Sequence, residues 1–258
     1  MSNIHPTAIV NSQAKLGNNI TIGPYAVIEE DVEVGNDCKI GPHVVVYDGA
    51  RIGNRVKIFQ SVSVANLPQD LKFGGEKTLF IIGDDTVVRE YATLHRGTKE
   101  TGKSQVGKNC LLMAYSHIPH DCHVGDNCII ANGVQMGGHT HIEDWVIIGG
   151  LTAVHQFSLI GEHSMVGGGL RINQDVPPFI LAGDDPVKYA GLNVIGLKRR
   201  GFKSEDIEII KEAYSYLYDK SMNVSQAAKK IESEIGDNPY VGKILNFISR
   251  SKRGIIGK

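Results

Sequence analysis

Aromatic side chains are scarce in this chain, at 7 % of its residues with a single Trp. Large rings therefore cannot fill most of its core. Glycine is abundant at 30 residues, which points to thin, regularly stacked layers. No apolar run approaches the roughly 20 residues of a membrane span, so no stable membrane insertion is expected. The N-terminus, MSNIHPTAIV, lacks the basic-then-apolar pattern of a secretory leader, and the expected location is cytoplasmic. The four cysteines form no CxxC pair, which removes the commonest zinc and redox spacings. The net charge of −1 is unevenly spread. Residues 1–185 carry 13 Lys and Arg against 20 Asp and Glu, whereas residues 186–258 carry 14 against 8. A basic C-terminal segment suits an anionic ligand or an acidic protein partner, or is simply a solvated helical surface. No nucleic-acid partner is expected.

What is present is a beat of six. From Ile4 to Val64, every sixth residue is aliphatic, eleven in succession. The beat lapses at Asp70 and Glu76, returns at Ile82, Val88 and Leu94, lapses at Glu100, and then runs unbroken from Val106 to Ile172. A hexapeptide period is the signature of a β-helix. Strand alternation sends each aliphatic and the residue two before it to the same, inward face. That second slot is usually small (Ala8, Ala26, Ala50, Ala92, Ser116, Thr152), and it holds Cys38, Cys110, Cys122 and Cys128. The cysteines thus read as buried, reduced thiols. Glycine often follows the aliphatic, where it is expected to ease the corner of the coil. Three hexads make an 18-residue turn, and turns stack at about 4.8 Å. The two lapses read as excursions from the coil, at 65–79 and 97–105. Beyond DVPP at 175–178 the pattern becomes helical. A short helix is expected within 186–200, another over 204–220 capped by Ser204, and two more over 225–235 and 240–249.

The richest stretch is 115–157, YSHIPHDCHVGDNCIIANGVQMGGHTHIEDWVIIGGLTAVHQF. Stepping by 18 stacks His120, Gly138 and Gln156 in one column and Asp121, His139 and Phe157 in the next. His155 falls in the preceding column, and His117 points outward just before Ile118. These residues therefore share one outer strip spanning about three turns, or roughly 10 Å. Imidazoles beside a carboxylate can act as a general base. Gly138, next to His120, can present a backbone N–H to a developing oxyanion. Three readings of the strip remain open on this pattern: acyl transfer to a hydroxyl, zinc-dependent hydration chemistry, and a solvated surface with no chemistry.

Several motifs are more specific. NLPQDLKFGGE (66–76), HRGT (95–98), SHIPHDCHVG (116–125), GGHTHI (137–142), TAVHQF (152–157), QDVPP (174–178) and GLNVIGLKRRGF (191–202) together closely resemble the UDP-N-acetylglucosamine O-acyltransferases of lipid A biosynthesis. The resemblance covers essentially the whole chain. It implies an all-β left-handed parallel β-helix over 1–185, followed by a C-terminal α-helical domain over 186–258. It also implies a homotrimer with active sites between subunits. The implied reaction moves a 3-hydroxyacyl chain from acyl carrier protein to the 3-OH of UDP-N-acetylglucosamine, with no metal, no cofactor and no acyl-enzyme. By the same resemblance His120 is the general base, Asp121 its support and Gly138 the oxyanion donor. Gln69, Asp70 and Lys72 position the sugar and phosphates. His117, His139, His155 and Gln156 line the nucleotide-sugar site, Asn193, Arg199 and Arg200 meet the nucleotide, and Gly168 sits at the acyl-chain ruler, where glycine implies a long chain. Ile195 departs from the family, which commonly has a glutamate there. The alternatives are the related N-acyltransferase acting on a UDP-amino sugar, whose extra N-terminal domain has no room before Ile4, and a trimeric zinc carbonic anhydrase-like enzyme on the same coil.

Overall fold

A computed structural model describes residues 2–257. Most strands of the coil have two residues, and each ends on an aliphatic of the sixfold series. The first turn is Asn3–Ile4, Ile9–Val10 and Lys15–Leu16. Each strand pairs in parallel with the one a turn later, Asn3 with Thr21, Ile9 with Val27 and Lys15 with Glu33. Three sheets result, and the chain visits them in strict rotation. They are the three faces of a triangular prism. Leu111–Leu112 belongs to the first face, His117–Ile118 to the second and His123–Val124 to the third. The aliphatics and the slots two before them fill the interior, and all four cysteines are buried and free. That slot is not always small, since Ile20, Val32, Val44 and Val56 also occupy it in the N-terminal turns.

The glycines after the aliphatics do not turn the corner. The left-handed conformation falls two residues later, on residues such as Asn19, Asp37, Asp85, Asn109 and His139. Asn and Asp tolerate that region because their short polar side chains bond locally. Glycine is required instead by the close approach of the next turn. A Cβ on Gly83 would lie 2.6 Å from the carbonyl carbon of Gly107. Gly83→Ala is therefore expected to wedge adjacent turns apart at a cost of about 1–3 kcal/mol, read as a lower denaturant midpoint with an unchanged slope.

Both excursions are shorter than the sequence suggested, because pairing continues into their ends. Strand Ser63–Asn66 and strand Leu79–Ile82 leave 67–78 for the first, and Thr93–His95 and Lys103–Val106 leave 96–102 for the second. Lys57 pairs with Val87 and Val87 with Leu111, so the inserts add twelve and six residues to the 18-residue step. Both are whole multiples of six, which is why the phase survives. Both leave from the corner between the second and third faces.

Past residue 185, strand Lys188–Leu192 folds back antiparallel on Ile180–Gly183 and closes the end of the first face. Four helices follow: α1 (Val194–Arg199), α2 (Ser204–Leu217), α3 (Val224–Ile235) and α4 (Pro239–Arg250). Ser204 is the first helical residue and not the cap. Lys203 is the cap, and its N–H donates to the Asp206 carboxylate at 3.2 Å. Ile207, Ile210, Tyr214 and Leu217 form the buried face of α2. The Tyr214 hydroxyl donates to the Pro178 carbonyl at 2.6 Å. Lys243 pairs with Glu162 at 2.7 Å, and Arg250 pairs with Glu143, so α4 is tied to the coil. Among the described residues no helix is long and apolar enough to cross a membrane.

Candidate active site

Asp121 occupies the left-handed corner position after Ile118, with φ at 59°. The preceding residue, His120, is thereby swung back so that its Nδ1 meets Asp121 Oδ2 at 2.8 Å. The Asp121 side chain is fully buried. Thr98 donates to it twice, from its N–H to Oδ1 and from its hydroxyl to Oδ2, both at 2.9 Å. The Thr101 hydroxyl donates to Oδ1. Burial pushes the Asp121 carboxyl up, but the hydrogen bonds from Thr101, His120 and Thr98 outweigh it and hold the group below the ordinary carboxylate range. A carboxylate accepts at Nδ1 only if that nitrogen carries the proton, which leaves the lone pair on Nε2.

That nitrogen lies against Gly138. A Cβ on Gly138 would stand 2.5 Å from His120 Cε1 and 2.7 Å from Nε2. Only glycine leaves room for the ring. Among the described residues the Gly138 N–H has no protein acceptor. At the corner between the third and first faces most of the equivalent donors are taken. Asn36 N–H donates to Asn54 Oδ1 at 2.9 Å and Lys108 N–H to Asp126 Oδ1 at 2.7 Å, each on the next turn. Gln156 stands where a short Asn or Asp would have closed the donor at Gly138.

His139, one turn on, packs edge-on against His120 with centroids 5.3 Å apart and stacks on Phe157 at 4.5 Å. Its Nε2 is 3.6 Å from both Asp121 Oδ2 and Glu100 Oε2. His120, Asp121 and His139 bring three donor atoms within 4.8 Å of one another. The Asp121 oxygens already accept four hydrogen bonds, however, so their lone pairs are engaged and the group reads as a hydrogen-bonded dyad. On the adjoining second face, His117 Nδ1 bonds the Thr93 hydroxyl at 2.7 Å. Burial, and then the nearby His95, push His117 down to about 4, so it is neutral at pH 7. His95 packs edge-on to His117 at 5.0 Å and donates from Nδ1 to the Leu67 carbonyl at 2.6 Å.

His120, Asp121, Gly138, His139, His155 and Gln156 thus converge on one corner, with His117 beside it. His155 and Gln156 are exposed. The first excursion leaves from the same corner. Its Gln69 and Lys72 are exposed, and the Asp70 carboxylate accepts from the Lys72 N–H at 2.9 Å. The other expected residues lie elsewhere. Gly168 is exposed at the corner between the first and second faces. Arg200 sits at the corner between the third and first faces, 5.2 Å over the Trp145 ring, with Nη1 3.2 Å from His163 Nδ1. Arg199 and Ile195 edge a cavity of about 650 Å³ that Ile147 and Met165 also line. Asn193 is buried and caps α1: its Oδ1 accepts from Gly196 N–H and its Nδ2 donates to the His163 carbonyl. Its amide is thus spent inside the chain. Thr98, Thr101 and His95 join the site in addition to the residues the sequence points to. Their sequence signal is slight: His95 and Thr98 belong to the HRGT motif, and Thr101 lies in the excursion that returns under His120.

A hexapeptide coil that carries an imidazole base, its carboxylate and an unpaired N–H on one corner has the makings of an acyltransferase of the hexapeptide class. Known proteins agree. Residues 31–62 and 103–138 match the bacterial transferase hexapeptide model, and residues 175–256 match domain 2 of UDP N-acetylglucosamine O-acyltransferase. The acyl-[acyl-carrier-protein]–UDP-N-acetylglucosamine O-acyltransferase of Aliarcobacter butzleri is 48 % identical over 99 % of this chain and 98 % of its own length. The crystal structure of the UDP-N-acetylglucosamine acyltransferase of Bacteroides fragilis superposes with a TM-score of 0.95 at 41 % identity, covering 98 % of this chain and 99 % of that one. Its Arabidopsis counterpart gives 0.86 at 31 % identity, covering 98 % and 99 %. This chain belongs to the UDP-N-acetylglucosamine O-acyltransferase family, and its coil is a left-handed parallel β-helix.

Proposed function

We propose that this protein moves a 3-hydroxyacyl chain from acyl carrier protein to the 3-OH of UDP-N-acetylglucosamine, the first step of lipid A biosynthesis, in the cytoplasm. The observation that carries the reading is the His120–Asp121 hydrogen bond of 2.8 Å, with the free Nε2 lying across Gly138. His120 Nε2 takes the 3-OH proton as that oxygen attacks the thioester carbon. The carbonyl oxygen becomes an anion held by the Gly138 N–H. When the C–S bond breaks, the imidazolium returns its proton to the leaving thiolate. Asp121 stays ionised and steadies the imidazolium. This chemistry needs no resident metal and no covalent acyl-enzyme.

Asp70, Lys72 and Gln69 position the sugar and phosphates, and His117, His139, His155 and Gln156 line the nucleotide-sugar site. A neutral His117 suits hydrogen bonding better than charge pairing. Arg199 and Arg200 offer guanidinium donors to the nucleotide phosphates, while Asn193 acts through the orientation of α1. Ile195 gives the nucleotide an apolar neighbour in place of the family's common glutamate. Gly168 leaves the acyl groove open for a long chain. These residues occupy different corners of one coil, so they complete a site only between copies, and we take the assembly to be a homotrimer.

The test is an assay of acyl carrier protein thioesters of several lengths against UDP-N-acetylglucosamine and its 3-amino analogue, with the mass measured in solution. Transfer of long chains to the 3-OH sugar is expected, by a particle of about three times the 28.1 kDa chain mass. Preference for the amino sugar would move the reading to the alternative acceptor, and absence of transfer to either would end it.

A further inference from the structure

We infer that Thr98 and Thr101 are positioning residues, and that the second excursion exists to hold Asp121 ionised and aimed at His120. The inference rests on the acyl-transfer reading above.

At the other corners, acidic residues in the left-handed position are exposed, and Asp85 is held only by a solvent-facing Arg55 guanidinium at 2.7 Å. Asp37 accepts from Asn19 Nδ2 at 2.8 Å. Asp121 is fully buried, and a buried carboxylate persists only when its lone pairs are filled. Two of its four donors are hydroxyls from a six-residue insert that the coil does not need for its own pairing. Each hydroxyl is oriented. Thr98 Oγ1 accepts from the Glu100 N–H at 3.2 Å, which leaves its hydrogen for Asp121 Oδ2. Thr101 Oγ1 lies near both the Lys103 carbonyl and Asp121 Oδ1, and the anion is the stronger acceptor. One oxygen of Asp121 is thus filled by Thr98 N–H and Thr101, and the other is shared by Thr98 Oγ1 and His120. Donors on a carboxylate lower its proton affinity, so the Nδ1 proton stays on the imidazole and Nε2 stays the base.

The insert is itself braced. Glu76 of the first excursion accepts from the Lys99 N–H at 2.9 Å, next to Thr98, and the Arg96 guanidinium lies 5.7 Å from the Phe73 ring. The loop carrying Asp70 and Lys72 therefore rests on the segment that holds Asp121. The other titratable groups facing the dyad are His139 on the next turn, Glu100 on the insert, and His95 and His117 on the second face.

The experiment compares Thr98→Val, Thr101→Val and the double variant with the Thr→Ser versions. Steady-state kinetics across pH are paired with a 13C titration of the Asp121 carboxyl. Each valine is expected to lower kcat about tenfold, as for losing a hydrogen bond to a charged group, with KM for the nucleotide sugar within about twofold. Losing donors raises the carboxyl, so protonation sets in earlier as pH falls. The acid limb of kcat/KM, which reports the dyad as a unit, and the Asp121 titration should both move to higher pH. Serine should restore both. A folded double variant with an unmoved Asp121 titration overturns the inference, as does a change confined to KM. If the valines do not fold, Thr98→Ala and Thr101→Ala remove the hydroxyls without the extra methyl and are judged by the same readouts. The carboxyl titration needs no turnover, so it tests the clamp even if the parent protein transfers no acyl chain.

Discussion

His120→Ala is expected to cut kcat/KM for acyl transfer by about a thousandfold, within the range that general bases contribute, while the coil remains intact. The reason for the split is positional. His120 lies outside the prism, at a corner, and the aliphatic core does not depend on it. Its side chain is 14 % exposed, whereas Ile118 and Cys122 on either side of it are buried inward. Far-UV circular dichroism and solution mass should match the parent protein. If the purified variant kept more than a tenth of the activity, another group would have to be the base.

Gly138→Ala should be nearly as damaging, through sterics. The added methyl would fall 2.5 Å from His120 Cε1, a distance that no van der Waals contact tolerates. Because the ring and the Gly138 backbone press together, either the imidazole swings off Asp121 or the oxyanion donor shifts. Loss of an aligned oxyanion donor alone costs about a hundred- to a thousandfold in kcat. The two residues act on one event, so the His120→Ala, Gly138→Ala double variant should be little worse than His120→Ala. Additive losses in that comparison would mean that the two residues contribute independently.

The stacking of His120 on Gly138 was legible from the sequence, because an 18-residue turn makes neighbours of residues far apart in the chain. The same phase turned the cysteines inward and so took them out of any metal reading. What the phase could not carry was anything off the coil. Thr98 and Thr101 sit in an insert whose path has no period, and only the folded chain brings their hydroxyls to Asp121. A sequence shows that glycine recurs at the corners, but the missing Cβ can serve φ or proximity, and here it serves proximity. Asn193, expected at the nucleotide, also caps α1, a use that an amide just before GLKRR can serve and that the sequence did not single out. Ser204 suits a cap by residue type, but the helix begins on it, and Lys203 one residue earlier takes the cap position with its N–H on the Asp206 carboxylate.

The inserts of twelve and six residues carry a consequence for how such a chain can change. A solenoid of this kind has a reading frame of its own. Lengthening an excursion by an arbitrary number of residues is harmless while the extra chain loops freely. Once pairing extends into the insert, as it does at Asn66 and Leu79, only lengths counted in whole faces rejoin the stack without rotating every later residue. Excising the second excursion to a bare corner would leave a coil that closes as well as any other turn, with the same buried stripe and the same His120. It would lose the Thr98 and Thr101 hydroxyls that hold Asp121 and keep the architecture. Paired length in this fold is therefore counted by the scaffold, while freely looping chain is not, and chemistry can be added in either.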